Sequence, residues 1–150
     1  MEIETGRRGD GVKNEQVAFE KKDNATSVKR EAKKTVVLGA SPNPARYSFK
    51  AVKSLLLHGY DAVAVGFRPG VIYEKFIQRG EPVIEEVHTI ALYIGPERQE
   101  EFHEYILSLH PKRVIFNPGT VNEPFMEELR EKGIEVVEGC TLVMLDSGEF

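Results

Sequence analysis

The chain has 150 residues, enough for one domain with a hydrophobic core of ordinary size. Its net charge of −4 argues against a nucleic-acid partner, because such proteins usually present a basic face. The single cysteine, Cys140, excludes an intramolecular disulfide and a cysteine-rich zinc site, so we expect a reducing, cytoplasmic environment. No apolar run is long enough to span a membrane, so we expect no membrane partner.

The first 34 residues show no helical or strand periodicity, and their few apolar side chains are scattered among charges. Such a segment cannot bury enough apolar surface to offset the entropy lost on ordering. We therefore predict a disordered or loosely packed tail over residues 1–34 and a folded domain over residues 35–150. The basic cluster at 29–34 is typical of a solvated segment, and docking of the tail on another protein is an alternative role.

From Thr35 onward, short apolar segments alternate with amphipathic ones. The predicted strands are 35–38, 61–65, 89–94, 113–116 and 134–137, with a sixth extended piece at 141–145. Helices are predicted to end at Gly59, to span 97–109, and to run from a cap at Asn122 to Gly133. Segment 71–87 is predicted to cross the sheet edge, with a helical turn near 73–77 and an extended piece near 82–84.

This alternation predicts an α/β fold: a Rossmann-like, doubly wound parallel sheet of about five strands with helices on both faces. The strand order that we expect is 3-2-1-4-5, with the topological switch point beside the end of the first strand. Ligands of such sheets bind outside the carboxyl ends of the strands. The loops that should meet there are 39–44, 66–70, 95–96 and 117–120.

The turn after the first strand, Gly39-Ala40-Ser41, leads directly into a helix. Backbone N–H groups at such a turn and at the helix N-terminus can cradle a phosphate. The loop after the second strand is more specific. Where an NAD-binding fold usually places an acid for the ribose hydroxyls, this chain has Arg68. A cation suits a ribose that carries a phosphate, as in NADP or coenzyme A (CoA).

Three segments, Val36–Gly70, Asn117–Thr120 and Gly133–Cys140, resemble the small stand-alone CoA-binding proteins. The domain of those proteins is similar to the CoA-binding domain of the succinyl-CoA synthetase α-subunit. The resemblance implies that CoA or an acyl-CoA binds in the crevice. It implies these contact residues: Gly39, Ala40, Ser41, Pro42, Arg46, Tyr47, Ser48, Gly66, Phe67, Arg68, Pro69, Gly95, Pro96, Asn117, Pro118 and Gly119.

By position in the family, 39–41 would meet the pyrophosphate and 46–48 would lie at the same helix start. Residues 67–69 would flank the adenosine, with Arg68 near the phosphates. Residues 95–96 would line the opposite wall, and 117–119 would face the pantetheine end. Many family members carry an acid and an arginine after the cysteine that matches Cys140, where this chain has Thr141-Leu142-Val143.

Signals of catalysis are few. The four histidines lie away from the predicted strand carboxyl ends, and no metalloprotease, Walker A or nucleophile-elbow motif is present. We therefore expect a CoA-binding protein that does not catalyse a reaction, with a carrier, sensor or regulatory role. The alternatives are an NADP-dependent oxidoreductase fragment and a protein-interaction module. A homodimer or a partner protein is left open.

Overall fold

The computed structural model describes residues 33–150. Residues 1–32, which make up most of the predicted tail, lie outside this range. The last two residues before the first strand contact the folded domain. The Lys34 carbonyl accepts hydrogen bonds from the amides of His88 and Thr89, and the Lys34 ammonium group donates to the Glu85 carbonyl at 2.9 Å.

The described residues form thirteen regular elements in chain order. They are β1 (Thr35–Leu38), α1 (Tyr47–Leu57), β2 (Ala62–Val65), β3 (Val71–Ile72), β4 (Lys75–Phe76), β5 (Thr89–Leu92), α2 (Pro96–Gln99), a 3-10 helix (Glu100–Phe102), α3 (His103–Ser108), β6 (Arg113–Phe116), α4 (Glu123–Glu131), β7 (Glu135–Glu138) and α5 (Thr141–Ser147). The predicted helix at 97–109 is thus divided into α2, the 3-10 helix and α3. The Asn122 side chain caps α4 by accepting from the Phe125 amide at 3.2 Å, as predicted.

Five strands form one parallel sheet in the order β2-β1-β5-β6-β7. This confirms the doubly wound α/β class. Apolar side chains alternate between the two faces of β1: Val36 and Leu38 pack with α3 and α4, whereas Val37 packs with α1 and α5. Helices therefore cover both faces, and one hydrophobic core lies on each side of the sheet.

The predicted strand order, 3-2-1-4-5, is wrong, because the third long strand, β5, pairs with β1 and not with β2. The physical reason lies in the chain between β2 and β5. Gln78 pairs with the outer edge of β2: its amide donates to the Ala64 carbonyl, and its carbonyl accepts from the Gly66 amide, each at 2.9 Å. This pairing leaves the free edge of β1 for β5. The switch point consequently lies between β1 and β5.

Two local predictions are also wrong. The predicted helical turn near 73–77 is a β-hairpin of β3 and β4, whose turn residues Tyr73 and Glu74 both have positive φ, and 82–84 is irregular. The predicted extended piece at 141–145 is the helix α5, which ends at Gly148 with a φ of 80°. Its two buried residues, Thr141 and Leu145, are four apart and lie on one face of the helix.

Two histidines pack against the sheet in ways that oppose protonation. The His103 ring stacks on Phe125 with 3.6 Å between ring centroids, and burial lowers its pKa below the ordinary 6.5. Burial and then the nearby charges of Arg113, Lys33 and Lys112 lower the pKa of His88. The unfolded chain therefore binds protons more readily than the folded one as the pH falls through 6.5.

We accordingly expect the melting temperature to fall between about pH 7 and pH 5.5, before most carboxylates titrate. His103→Phe keeps a ring against Phe125 but removes one titrating group, so its melting temperature should depend less steeply on pH. Thermal melts over this pH range, at matched ionic strength, give the slope of melting temperature against pH for the wild type and for the variant. Equal slopes for the two proteins would contradict the assignment to His103.

Candidate functional site

Two adjoining cavities open at the carboxyl edge of the sheet, and together they form one crevice. The larger has a volume of about 670 Å³ and is lined by Leu38, Gly39, Val65, Gly66, Phe67, Arg79, Gly80, Glu81, Arg98, Glu101 and Phe102. The smaller has a volume of about 400 Å³ and is lined by Gly39, Ala40, Ser41, Pro42, Arg46, Phe67, Arg68, Tyr93 and Arg98. They share Gly39, Phe67 and Arg98, so one ligand can reach both.

The turn after β1 is held by its own hydrogen bonds. The Gly39 and Ala40 amides both donate to the Val65 carbonyl, at 2.8 and 2.9 Å. The Ser41 amide donates to the Ser48 hydroxyl at 3.1 Å. These three N–H groups, which the family resemblance assigns to the pyrophosphate, are thus already paired. In this geometry the turn shapes the wall of the smaller cavity but does not present amide donors to an anion.

Donors remain at the start of α1. The first amides of a helix have no acceptor within the helix, and Arg46, at the N-cap position, makes no side-chain capping bond. The positive end of the helix dipole adds to the Arg46 charge at this wall of the smaller cavity. An anionic group in the smaller cavity would therefore be stabilised from the α1 side.

Two glycines allow the loops to approach this closely. Gly66 lies against the turn after β1, and a Cβ atom there would collide with the Ala40 carbonyl oxygen. Gly39 has a φ of +98°, and a Cβ atom would lie 2.9 Å from the Tyr93 carbonyl oxygen. The floor of the crevice is thus backbone packed on backbone, with no room for side chains at these two positions.

Phe67 borders both cavities and is 45% exposed. The Arg98 guanidinium lies 4.4 Å from its ring centroid, and the Phe102 ring meets it edge-on at 5.5 Å. An aromatic ring held in this way beside a cation is a surface on which a planar base can stack.

Arginine is concentrated at the crevice. Within residues 33–150 there are six arginines, and four of them line the two cavities: Arg46, Arg68, Arg79 and Arg98. None of these four forms an ion pair with another residue of that range, whereas Arg130 pairs with Glu127 at 3.5 Å. No acidic residue lines the smaller cavity, but Glu81 and Glu101 line the larger one. The smaller cavity is therefore strongly cationic, and the larger one is mixed.

Half of the sixteen predicted contact residues line the crevice, and half do not. Those that line it are Gly39, Ala40, Ser41, Pro42, Arg46, Gly66, Phe67 and Arg68. Those outside both cavities are Tyr47, Ser48, Pro69, Gly95, Pro96, Asn117, Pro118 and Gly119.

Asn117 has a structural position. Its side chain is fully buried; its amide donates to the Leu92 carbonyl at 3.2 Å, and its Oδ1 accepts from the Thr141 amide at 2.8 Å. Ser48 is also buried and supports the Ser41 amide. These two residues hold the loops in place and present no side-chain surface to a ligand.

Nine further residues line the crevice that were not predicted from the sequence: Leu38, Val65, Arg79, Gly80, Glu81, Tyr93, Arg98, Glu101 and Phe102. Arg98 could have been found, because it lies in the first helical turn after a strand carboxyl end. Arg79 carried no such signal, since its segment pairs with β2 through a single residue. Burial raises the pKa of the Tyr93 hydroxyl above its ordinary value, although the Thr141 hydroxyl partly opposes the shift, so Tyr93 stays protonated at neutral pH.

Within residues 33–150, no group of three or more histidine, cysteine, aspartate or glutamate side chains is placed to hold a metal ion. In the same part of the chain, no helix has both the length and the apolar character needed to cross a membrane.

A parallel α/β sheet with helices on both faces is a Rossmann-like fold, and a crevice at the switch point is where such folds bind their ligands. Residues 33–146 match the model of the family described as CoA binding domain. The match covers most of the chain, and the protein belongs to this family.

Several solved structures share the fold. The crystal structure of an uncharacterized protein is 52% identical and superposes with a TM-score of 0.77, covering 79% of this chain and 98% of the other. A Thermus thermophilus protein is 22% identical with a TM-score of 0.67, over 87% and 98% of the two chains. A hypothetical protein from Pyrococcus horikoshii OT3 is 23% identical with a TM-score of 0.67, over 97% and 98%. The last two support the fold alone. A search of curated proteins found no match.

Proposed function

We propose that the protein binds CoA or an acyl-CoA in the crevice and does not catalyse a reaction on it, serving as a carrier, sensor or regulator. The observation that carries this proposal is the set of four arginines without ion pairs in residues 33–150. A protein with a net charge of −4 gains nothing in stability by collecting cations at one cleft, but a polyanionic ligand requires them. CoA carries a pyrophosphate and a 3′-phosphate.

The charge distribution supports an orientation for the ligand. The pyrophosphate fits the smaller cavity, where Arg46, Arg68 and Arg98 converge without a competing acid. The adenine fits beside Phe67, whose half-exposed ring lies over the end of β2. Membership of the CoA binding domain family and the resemblance to the succinyl-CoA synthetase domain favour CoA over other nucleotides.

The absence of catalysis is proposed from the side chains at the crevice. No histidine or cysteine lines either cavity. The Ser41 hydroxyl accepts a hydrogen bond from the Asn43 amide, and no general base lies beside it among the lining residues. A binding or presenting role requires none of these groups.

Isothermal titration calorimetry with CoA, NADP and NAD tests the proposal. We expect CoA to bind more tightly than NADP, because CoA is the ligand in the description of the family, and more tightly than NAD, which has one phosphate group fewer. Lack of CoA binding at millimolar concentration would refute the proposal. NADP also carries a phosphate on its adenosine ribose, so tighter binding of NADP than of CoA would favour the oxidoreductase alternative.

Arg98→Gln should weaken CoA binding by about 10- to 100-fold, since a hydrogen bond to a charged group contributes about 1.5–3 kcal/mol. Arg98 borders both cavities, so every placement of the phosphates lies near its charge. Arg130→Gln is the matched control, because Arg130 is exposed on α4, away from the crevice. Equal losses in the two variants would indicate that only the overall charge matters.

A further inference from the structure

We propose that Arg79 binds the 3′-phosphate of the ligand and makes the site selective for a 3′-phosphorylated adenosine over its unphosphorylated form. The inference rests on the proposed function, since it concerns how the same crevice recognises CoA. It assigns a role to a residue that the sequence motifs do not mark, and it changes the role expected of Arg68.

The backbone fixes the position of Arg79. Gln78, immediately before it, is joined to the outer edge of β2 by two hydrogen bonds of 2.9 Å, with Ala64 and Gly66. Gly80, immediately after it, has a φ of +81° and turns the chain away. Arg79 therefore lies at the carboxyl end of β2 on a segment anchored to the sheet, and it lines the larger cavity.

The two cavities divide the cations between them. Arg46 and Arg68 line only the smaller cavity, Arg79 lines only the larger, and Arg98 lines both. In a doubly wound sheet the phosphate chain lies at the start of the helix after the first strand, and the adenosine ribose lies over the end of the second strand. In this protein the smaller cavity lies at the first of these places, and the larger cavity lies at the second. A phosphate on the ribose would thus meet Arg79.

Arg68 lies with the pyrophosphate in this arrangement. Dephospho-CoA has the same pyrophosphate as CoA, so Arg68 should contribute to the binding of both ligands and should not discriminate between them. The sequence alone could not separate the two roles, because it placed Arg68 but not Arg79 at the crevice.

The acids in the larger cavity sharpen the expected selectivity. Glu81 and Glu101 oppose the entry of an anion, and Arg79 and Arg98 offset that repulsion. Without Arg79, one arginine would face two glutamates, and a 3′-phosphate would be repelled. An unphosphorylated ribose brings no charge to this cavity, so its binding should change little.

Calorimetric titration of the wild-type protein, Arg79→Gln, Arg79→Lys and Arg68→Gln with CoA and with dephospho-CoA tests the inference. We expect the wild type to prefer CoA by at least about tenfold, as a charge-assisted bond to one phosphate predicts. Arg79→Gln should lose that preference while binding dephospho-CoA almost as the wild type does, and Arg79→Lys should retain part of it. Arg68→Gln should weaken both ligands by a similar factor.

Other outcomes separate the two proposals. Wild-type protein that binds CoA and dephospho-CoA equally, or Arg79→Gln protein that keeps the preference, would overturn the role of Arg79 and leave CoA binding intact. If only Arg68→Gln lost the preference for CoA over dephospho-CoA, recognition of the 3′-phosphate would be assigned to Arg68 and not to Arg79. Wild-type protein that binds neither ligand would overturn both proposals. Arg68 and Arg79 are both exposed, so all variants should fold, and thermal melts check this.

Discussion

Gly66→Ala should lower the free energy of unfolding by about 3 kcal/mol, at the upper end of what overpacking usually costs. The added Cβ would overlap the Ala40 carbonyl oxygen, and backbone lies on both sides of the contact. Neither segment can move away without losing a hydrogen bond, because the Ala40 amide donates to the Val65 carbonyl and the Gly66 amide donates to the Gln78 carbonyl. Relieving the clash would break one of these bonds at the floor of the crevice.

Thermal melting measures this effect, and for a domain of this size we expect the melting temperature to fall by about 10 °C. Gly139→Ala is the control: its Cβ atom would lie 3.5 Å from the nearest atom, an ordinary contact with a Val137 methyl group. That variant should lose less than about 1 kcal/mol. A melting temperature for Gly66→Ala equal to that of the control would show that the two loops are not packed as described.

Asn117→Ala should lower the free energy of unfolding by a similar amount, about 3 kcal/mol, because it leaves two buried backbone groups without partners. The Leu92 carbonyl would lose its donor, and the Thr141 amide would lose its acceptor. Asn117 and Thr141 are both fully buried, so water cannot replace the missing side chain without opening the structure. The loss should be local as well as global, because Thr141 begins α5.

Chemical denaturation measures the change in stability, and hydrogen exchange at the Thr141 amide reports the local opening. Asn122→Ala supplies a matched comparison, since it removes an asparagine that caps α4 through one bond of 3.2 Å at a partly exposed position. Its expected cost is about 1 kcal/mol. An equal loss of unfolding free energy in the two variants would show that the buried hydrogen bonds of Asn117 stabilise the protein no more than a single helix cap does.

The strands and most of the helices could be predicted, because their signals are local. The β1 segment Thr35–Leu38 and the cap at Asn122 depend on neighbouring residues only, and the structure places both where the sequence does. Helix α5 could not be recognised in this way. Its β-branched residues Thr141 and Val143 favour a strand by propensity, and a tertiary hydrogen bond between the Asn117 side chain and the Thr141 amide accompanies its helical form.

The strand order and half of the crevice depend on contacts between distant parts of the chain. No local pattern indicates that Gln78 pairs with β2, yet this pairing leaves the edge of β1 to β5 and brings Arg79 to the ligand side. The glycine turn and Arg68 were found because nucleotide-binding folds place such residues after the first two strands. The family resemblance implied that Asn117 faces the pantetheine end of the ligand, and the burial of its side chain was not visible in the sequence.

The pairing of Gln78 with β2 also bears on self-association. An open sheet presents unpaired N–H and C=O groups at its two outer strands, and these groups can recruit a strand from another molecule. At one edge, Gln78 occupies the carboxyl half of β2. At the other, Glu135 and Glu138 are exposed at the two ends of β7, and like charges disfavour a second copy of the strand. Within residues 33–150, neither edge favours edge-to-edge growth, so the helices and loops of this part of the chain are the better surfaces for a dimer.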